Sequence, residues 1–234
     1  MATAPIIREA PWHAGLRGAR ANLLPGLALQ LFALVLVLAY YRHAPTRDAV
    51  NQLADLRGRM GVLFGILSTG LCGGLLPFLY LKAMPATRSR YTWAQGGAIT
   101  AFWAYKGFEI GLWYRFLAWS VGEGNSPGTV ATKMFLDQFV YCPLLAVPLT
   151  VLVYDWCEHQ FSGAALAAEV RARGWYAQRV LPMLISNLGV WVPAVCIIYA
   201  LPTALQLPLQ NLVLCFFTLL LAHISKRQPA ANIT

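Results

Sequence analysis

Charged and amide side chains stand at the head of an apolar segment in TKMFLDQFVYCP, residues 132–143. Lys133 and Asp137 are four residues apart, so they share one face of a helix, and Gln138 lies beside them. The apolar run LLAVPLTVLVY follows directly. Opposite charges and an amide in such a place can pair with neighbouring charges or line a polar cavity.

A second group of charges lies in YKGFEIGLWYRFL, residues 105–117, where Lys106 and Glu109 are three residues apart and Arg115 follows. At bilayer depth each ionisable group costs about 3 kcal/mol. The least costly arrangement therefore pairs Lys106 with Glu109 or Asp137, buried between two helices. Such a pair is either a structural salt bridge that sets helix register or the polar lining of a pore. The sequence favours neither interpretation.

Composition indicates that lipid is the medium around these charges. Hydrophobic residues make up 58% of the 234 positions and charged residues 12%, against about a quarter charged in soluble domains. The mean hydropathy is +0.55. A bilayer-spanning helix needs about 20 apolar residues. The sequence therefore predicts an all-α, polytopic transmembrane bundle of about six spans, at 22–41, 61–81, 97–119, 134–154, 180–201 and 204–224.

The sequence predicts two regions, a basic N-terminal segment, 1–21, and a single transmembrane domain, 22–234. Apolar residues three apart in the connector 45–60 predict a short interfacial amphipathic helix, and GAALAAEVRARGW predicts another. The pairs Gly61/Gly65 and Gly107/Gly111 predict close helix packing. Pro77 predicts a kink whose freed carbonyl is satisfied by a neighbour. The last two spans are either a tight hairpin or one interrupted helix.

Lys and Arg in the loops predict six spans with both termini on the same, cytoplasmic side. The connector between the first two spans does not fit this pattern, because its arginines would lie outside. The basic residues placed on the cytoplasmic side are Arg8, Arg17, Arg20, Lys82, Arg88, Arg90, Lys226 and Arg227. The arginines of the connector that does not fit are Arg42, Arg47, Arg57 and Arg59.

Several other classes of function find little support in the sequence. The net charge of +9 comes mostly from residues that flank spans, so no nucleic-acid partner is expected. The five cysteines are scattered without CxxC spacing and predict no disulfide framework or zinc site. Phosphate-binding, dinucleotide and nucleophile-elbow motifs are missing, and no cofactor or catalytic residue is assigned.

A membrane metalloenzyme is the less favoured alternative. In YDWCEHQ, Asp155, Glu158 and His159 would share a helix face, as part of a metal site does. The chain has only four histidines, and a solvated helix end is by far the favoured explanation of the motif. No metal ligand is assigned.

KMFLDQFVYCP resembles the K-x-x-x-D-Q-x-x-x-x-P signature of the Mpv17/PMP22 family of small integral membrane proteins. Lys133, Asp137, Gln138 and Pro143 match it position by position. Further matches to the family's motifs are Gly107, Trp113, Tyr114, Leu117, Asn187, Trp191, Pro193, Pro202 and Asn211. The chain departs from the pattern at Phe108, Gly111 and Gln206, where the family has proline, histidine and arginine.

The resemblance implies a channel or a protein of membrane homeostasis. On that basis we expect a polar centre at Lys106, Glu109, Arg115, Lys133, Asp137 and Gln138, supported by Trp113, Tyr114, Pro143, Trp191 and Asn211. The alternative is a non-catalytic accessory subunit, whose partners beyond the bilayer would be a homo-oligomer or a larger membrane complex. Composition suits a bacterial inner membrane, and an organellar membrane is the alternative.

Overall fold

The computed structural model describes residues 10–225, and within that range it contains helices and no strand. Arg8, Lys226 and Arg227 lie outside the described residues, as do residues 1–9 of the predicted N-terminal segment. The helices are α1 (Pro11–Ala21), α2 (Leu23–Arg42), α3 (Ala44–Met60), α4 (Val62–Ala83), α5 (Trp93–Val121), α6 (Pro127–Glu158), α7 (Gly163–Arg171), α8 (Tyr176–Tyr199) and α9 (Thr203–Ser225). The prediction of an all-α bundle is confirmed.

Five helices are long and apolar enough to cross a membrane, namely α2, α4, α6, α8 and α9. The 29-residue α5 is long enough but carries three charged residues. It packs along α4, from Gly96 against the Phe78 ring to Gly107 against the Gly65 carbonyl, and so crosses the bundle with α4. Leucines remain exposed along the spans, for example Leu24 at 78% and Leu144 at 74%. Such apolar surface is compatible with an integral membrane protein that contacts lipid.

Hydrogen bonds and ring contacts show how the helices run. Asn22 donates to Ser186 at 2.9 Å and Tyr41 to the Ala200 carbonyl at 2.9 Å, so α2 and α8 are parallel. The end of α2 lies beside the start of α9, because Tyr41 contacts Ala200, and further along α9 Phe216 stacks on Phe32 at 4.9 Å, so α9 is antiparallel to both. The last two predicted spans are therefore separate helices that form a hairpin.

The bundle has two ends, here called the α3 end and the α7 end. The α7 end carries α1, the α4–α5 loop and α7, because Gln95 at the start of α5 donates to the Cys157 carbonyl at 2.8 Å. The α3 end carries α3, the α5–α6 loop and the α8–α9 turn, because Asn125 donates to the Ala200 carbonyl at 3.3 Å. The arginines of α3 thus lie at the opposite end from those of α1 and the α4–α5 loop. Both ends of the bundle are basic.

The interhelical core shows which glycines permit close packing. A Cβ at Gly107 would lie 2.0 Å from the Gly65 carbonyl oxygen, and a Cβ at Gly74 would lie 2.6 Å from Thr100 Cα. Only glycine allows α4 and α5 to approach this closely. A Cβ at Gly61 or Gly111 would meet nothing within 4 Å. One member of each predicted pair is therefore in the helix contact, and the other faces open space.

Three π-helical turns interrupt the spans, and each ends two residues before a proline. Since proline lacks an N–H and its ring clashes with the carbonyl four residues earlier, a wider turn accommodates it. The turns and their prolines are Gly70–Leu75 with Pro77, Asp137–Ala146 with Pro148, and Tyr176–Val180 with Pro182.

Neighbouring helices satisfy carbonyls that these prolines leave free. Leu76 donates to the carbonyl five residues earlier, but Pro77 cannot do the same for Cys72. The Thr218 hydroxyl of α9 lies within hydrogen-bond distance of the Cys72 carbonyl, at 3.1 Å, and shares its one proton with the Leu214 carbonyl of its own helix, at 2.8 Å. In the same way the Tyr176 hydroxyl donates to the Pro143 carbonyl at 2.8 Å. The predicted compensation at Pro77 is confirmed, and the same device joins α8 to α6.

Both predicted interfacial segments are helices, α3 and α7. The N-terminal segment also forms a helix, α1, which the sequence analysis did not predict. It packs on α8, because a Cβ at Gly15 would lie 2.8 Å from Ile185 Cβ. Its role is to cover α8 at the α7 end.

Candidate functional site

The centre of the bundle contains an ion pair within α5 that a tyrosine of α6 bridges. Lys106 Nζ lies 2.5 Å from Glu109 Oε1, and both side chains are buried. The Tyr141 hydroxyl lies 3.1 Å from Lys106 Nζ and donates to Glu109 Oε1 at 2.5 Å. This triangle ties α5 to the π turn of α6. The predicted pairing of Lys106 with Glu109 is thus formed.

Asp137 is the second buried carboxylate, and its partners are neutral donors. Trp113 Nε1 of α5 donates to Asp137 Oδ1 at 2.8 Å, and Gln138 Nε2 donates to Oδ2 at 3.0 Å. The Trp113 ring also stacks on Tyr141, with centroids 4.7 Å apart. One tryptophan therefore couples the carboxylate to the ion-pair triangle.

The Lys133 side chain forms no ion pair with Asp137, although the two residues are separated by only one helical turn. It is fully buried, and its Nζ makes no hydrogen bond within the described residues. Helical side chains lean toward the N-terminus, so Lys133 extends toward the α3 end while Asp137 turns to α5. Lys133 interacts electrostatically with Glu123, in the loop between α5 and α6.

A cavity of about 130 Å³ adjoins Asp137 and is lined by residues of α5, α6, α8 and α9, whereas Glu109 does not line it. Two residues of its lining, Gln138 and Gln210, each have a buried Oε1 with no hydrogen-bond partner in the described part of the chain. Its other polar or aromatic lining residues include Lys106, Asp137, Asn187, Trp103, Trp113 and Trp191. The cavity is therefore polar at the level of Asp137 and aromatic along its walls.

The other predicted residues are distributed around this centre. Tyr114 packs edge-on against Tyr199, with centroids 5.6 Å apart, and lines the cavity. Asn211 does not line it, because its amide bonds Thr69 and Ser68 of α4, at 2.9 and 2.7 Å. Arg115 lies outside the cluster and lines a crevice at the α3 end.

Tyr141 and Gln210 complete the site, and neither was predicted from the sequence. Tyr141 is four residues after Asp137, a spacing that places both on one helix face. Gln210 precedes Asn211 in an apolar segment, where an amide is costly and therefore informative. Both signals were present, but neither indicated which helix the side chain faces.

The acidic residues of the alternative metal site form salt bridges. Asp155 pairs with Arg179 of α8, and Arg179 Nε lies 2.9 Å from Glu169 Oε1. His159 Nε2 lies 3.5 Å from Glu169 Oε2. Among residues 10–220, no three His, Cys, Asp or Glu side chains are placed to hold a metal ion. These residues instead connect α6, α7 and α8 at the α7 end.

Comparison with protein-family models, with curated proteins and with solved structures gives no match for this chain. The cavity beside Asp137 is therefore the feature of the molecule that bears on its function.

Proposed function

We propose that this integral membrane protein is a channel for small polar solutes or ions, with the cavity beside Asp137 as its polar centre. The observation that carries the proposal is that two residues lining one cavity, Gln138 and Gln210, each have a side-chain oxygen, Oε1, with no hydrogen-bond partner in the described residues. Oxygens of this kind accept hydrogen bonds from water or coordinate a cation.

Energetics support a role beyond packing. Each buried polar group without a partner costs about 1–3 kcal/mol, and the chain carries two such oxygens at one cavity. A void of 130 Å³ has room for a few water molecules at about 30 Å³ each. Water or a polar solute in the cavity satisfies these oxygens and offsets their cost.

We also propose that the chain is a distant relative of the Mpv17/PMP22 family. Support comes from residues in two separate matched motifs. Asp137 and Gln138 belong to one motif and Trp113 to the other, and the three are joined by hydrogen bonds. The matches thus involve residues that act together at the cavity.

Solute flux through liposomes tests the channel. Purified wild-type protein is reconstituted, and the efflux of potassium chloride and of glycerol is compared with that of Gln210→Leu. The variant removes one unpartnered oxygen and places an apolar group in the cavity, so we expect its flux to fall. Gln30→Leu is the matched control, since Gln30 donates to the Val190 carbonyl from α2 and does not line the cavity.

Equal flux from wild type and Gln210→Leu, or wild-type flux no greater than that of empty liposomes, contradicts the proposal. Reconstituted protein is checked for helix content by circular dichroism, so a loss of flux through unfolding is recognised. A stoichiometric partner that co-purifies in mild detergent, together with inactive liposomes, supports the accessory-subunit alternative.

A further inference from the structure

A crevice at the α3 end lies apart from the central cavity. Its wide part, of about 490 Å³, is lined by Arg57, Arg115, Glu123 and the turn before α9. A narrower part, which shares both arginines, continues between α4 and α5 along Gly61 and Gly111. We call the two parts together the Arg57–Arg115 crevice.

Arg115 is an exposed cation on the lipid-facing side of α5. Its neighbours Leu112 and Phe116 are each 46% exposed, and Trp119, one turn further, is 81% exposed. Tryptophan at this position is typical of the membrane interface. Arg115 forms no ion pair or hydrogen bond within the described part of the chain. An arginine at this depth extends to the interface and needs an anion or water there.

Arg57 lies on the opposite wall of the crevice. Its Nη1 donates to the carbonyls of Thr203 and Ala204, at 2.8 and 2.7 Å. The Ala204 carbonyl needs this donor because Pro208, four residues later, has no N–H. Burial and the charge of Arg115 lower the pKa of Arg57. The guanidinium is thus fixed in place beside a second positive charge.

The charge and shape of the crevice define its ligand. Two guanidinium groups and the Glu123 carboxylate leave a net positive charge. Below the arginines the walls are apolar, with Val62, Phe108 and Leu112. A Cβ at Gly61 or Gly111 would meet nothing within 4 Å, so the groove between α4 and α5 is open at these two glycines. Its narrow part holds about 20 Å³ and is closed further in, where Gly65 and Gly107 are in contact. A ligand that fits has an anionic head and an apolar tail.

We propose that the Arg57–Arg115 crevice binds an anionic phospholipid, with its phosphate between the two guanidinium groups and an acyl chain along Gly61 and Gly111. Arginine suits this role because its planar fork of N–H donors matches phosphate geometry. The site is independent of the central cavity and of the proposed channel.

Native mass spectrometry of the purified protein tests the proposal, with phosphatidylglycerol and phosphatidylcholine titrated in parallel. We expect the wild type to bind phosphatidylglycerol more tightly. Arg115→Gln lowers that affinity about fivefold, the effect of removing one basic residue beside an anionic headgroup. Gly111→Leu places a side chain in the groove, at a position where a Cβ meets nothing within 4 Å, and weakens phosphatidylglycerol binding as well.

Two matched variants serve as controls. Gly97→Leu is also in α5 at a glycine with nothing within 4 Å, and Arg59→Gln removes an exposed arginine of α3 that does not line the crevice. Neither control is expected to change lipid binding. The proposal is overturned if the two lipids bind equally, if Arg115→Gln and Gly111→Leu behave like the controls, or if inorganic phosphate displaces phosphatidylglycerol. The last result would identify a site for free anions.

Discussion

The substitution Tyr141→Phe tests how α5 and α6 are joined. It removes one hydroxyl, which contacts Lys106 Nζ at 3.1 Å and Glu109 Oε1 at 2.5 Å. Phenylalanine keeps the ring that stacks on Trp113 and lies 5.2 Å from Lys106 Nζ. The change therefore isolates the two hydrogen bonds from the packing.

The magnitude follows from the charges involved. A hydrogen bond to a charged group contributes about 1.5–3 kcal/mol, and the hydroxyl makes two. Lys106 and Glu109 still contact each other, at 2.5 Å, so the ion pair partly compensates. Glu109 Oε2 already lacks a partner in the described part of the chain. We expect the free energy of unfolding to fall by about 2–4 kcal/mol.

The assay is unfolding of the protein in dodecyl maltoside micelles by added dodecyl sulfate, followed by tryptophan fluorescence. Tyr40→Phe is the control, because the Tyr40 hydroxyl is exposed and its contact with Asn51 is long, at 3.4 Å. The control should change stability by less than about 0.5 kcal/mol. A Tyr141→Phe variant as stable as the control would refute the bridging role of the hydroxyl.

Three further substitutions are checked by the same unfolding assay. Gly107→Ala places a Cβ 2.0 Å from a carbonyl oxygen of α4 and should lower the free energy of unfolding by about 1–3 kcal/mol. Gly111→Ala places a Cβ that meets nothing within 4 Å and should raise the free energy of unfolding by up to about 1 kcal/mol. Equal stabilities of the two variants would contradict the helix contact at Gly107. Thr218→Val removes the donor to the Cys72 carbonyl and should cost about 1 kcal/mol; an unchanged midpoint would show that this carbonyl needs no donor. Lys133→Met removes a buried amine without a hydrogen bond in residues 10–220 and should raise the unfolding midpoint; a lower midpoint would mean that Lys133 has a stabilising partner.

The helical spans could be predicted from sequence because the bilayer imposes their length and apolarity. The predicted span 134–154 lies within Pro127–Glu158, and the predicted span 22–41 nearly coincides with Leu23–Arg42. The starts of some helices are also determined by residues close together in the sequence. Thr92 and Gln95, for example, exchange reciprocal capping hydrogen bonds at 2.8 and 3.2 Å where α5 begins.

Partners within the site could not be predicted, since they depend on how each helix is rotated about its axis. The sequence offered Asp137 two lysines, Lys133 one turn away on its own helix and Lys106 on the neighbouring helix. It instead accepts hydrogen bonds from Trp113 and Gln138. Lys133, four residues before Asp137 on the same helix, is buried without a hydrogen-bond partner in the part of the chain described.

Sequence alone thus determined the medium, the helices and the burial of a few costly charges, because each depends on composition over a single segment. Tertiary structure decided that Gly107 contacts α4 while Gly111 faces an open groove, and that Gln210 reaches a cavity shared with Asp137. These outcomes depend on distances between helices far apart in the chain. No local pattern encodes such distances, since they result from the packing of all the spans together.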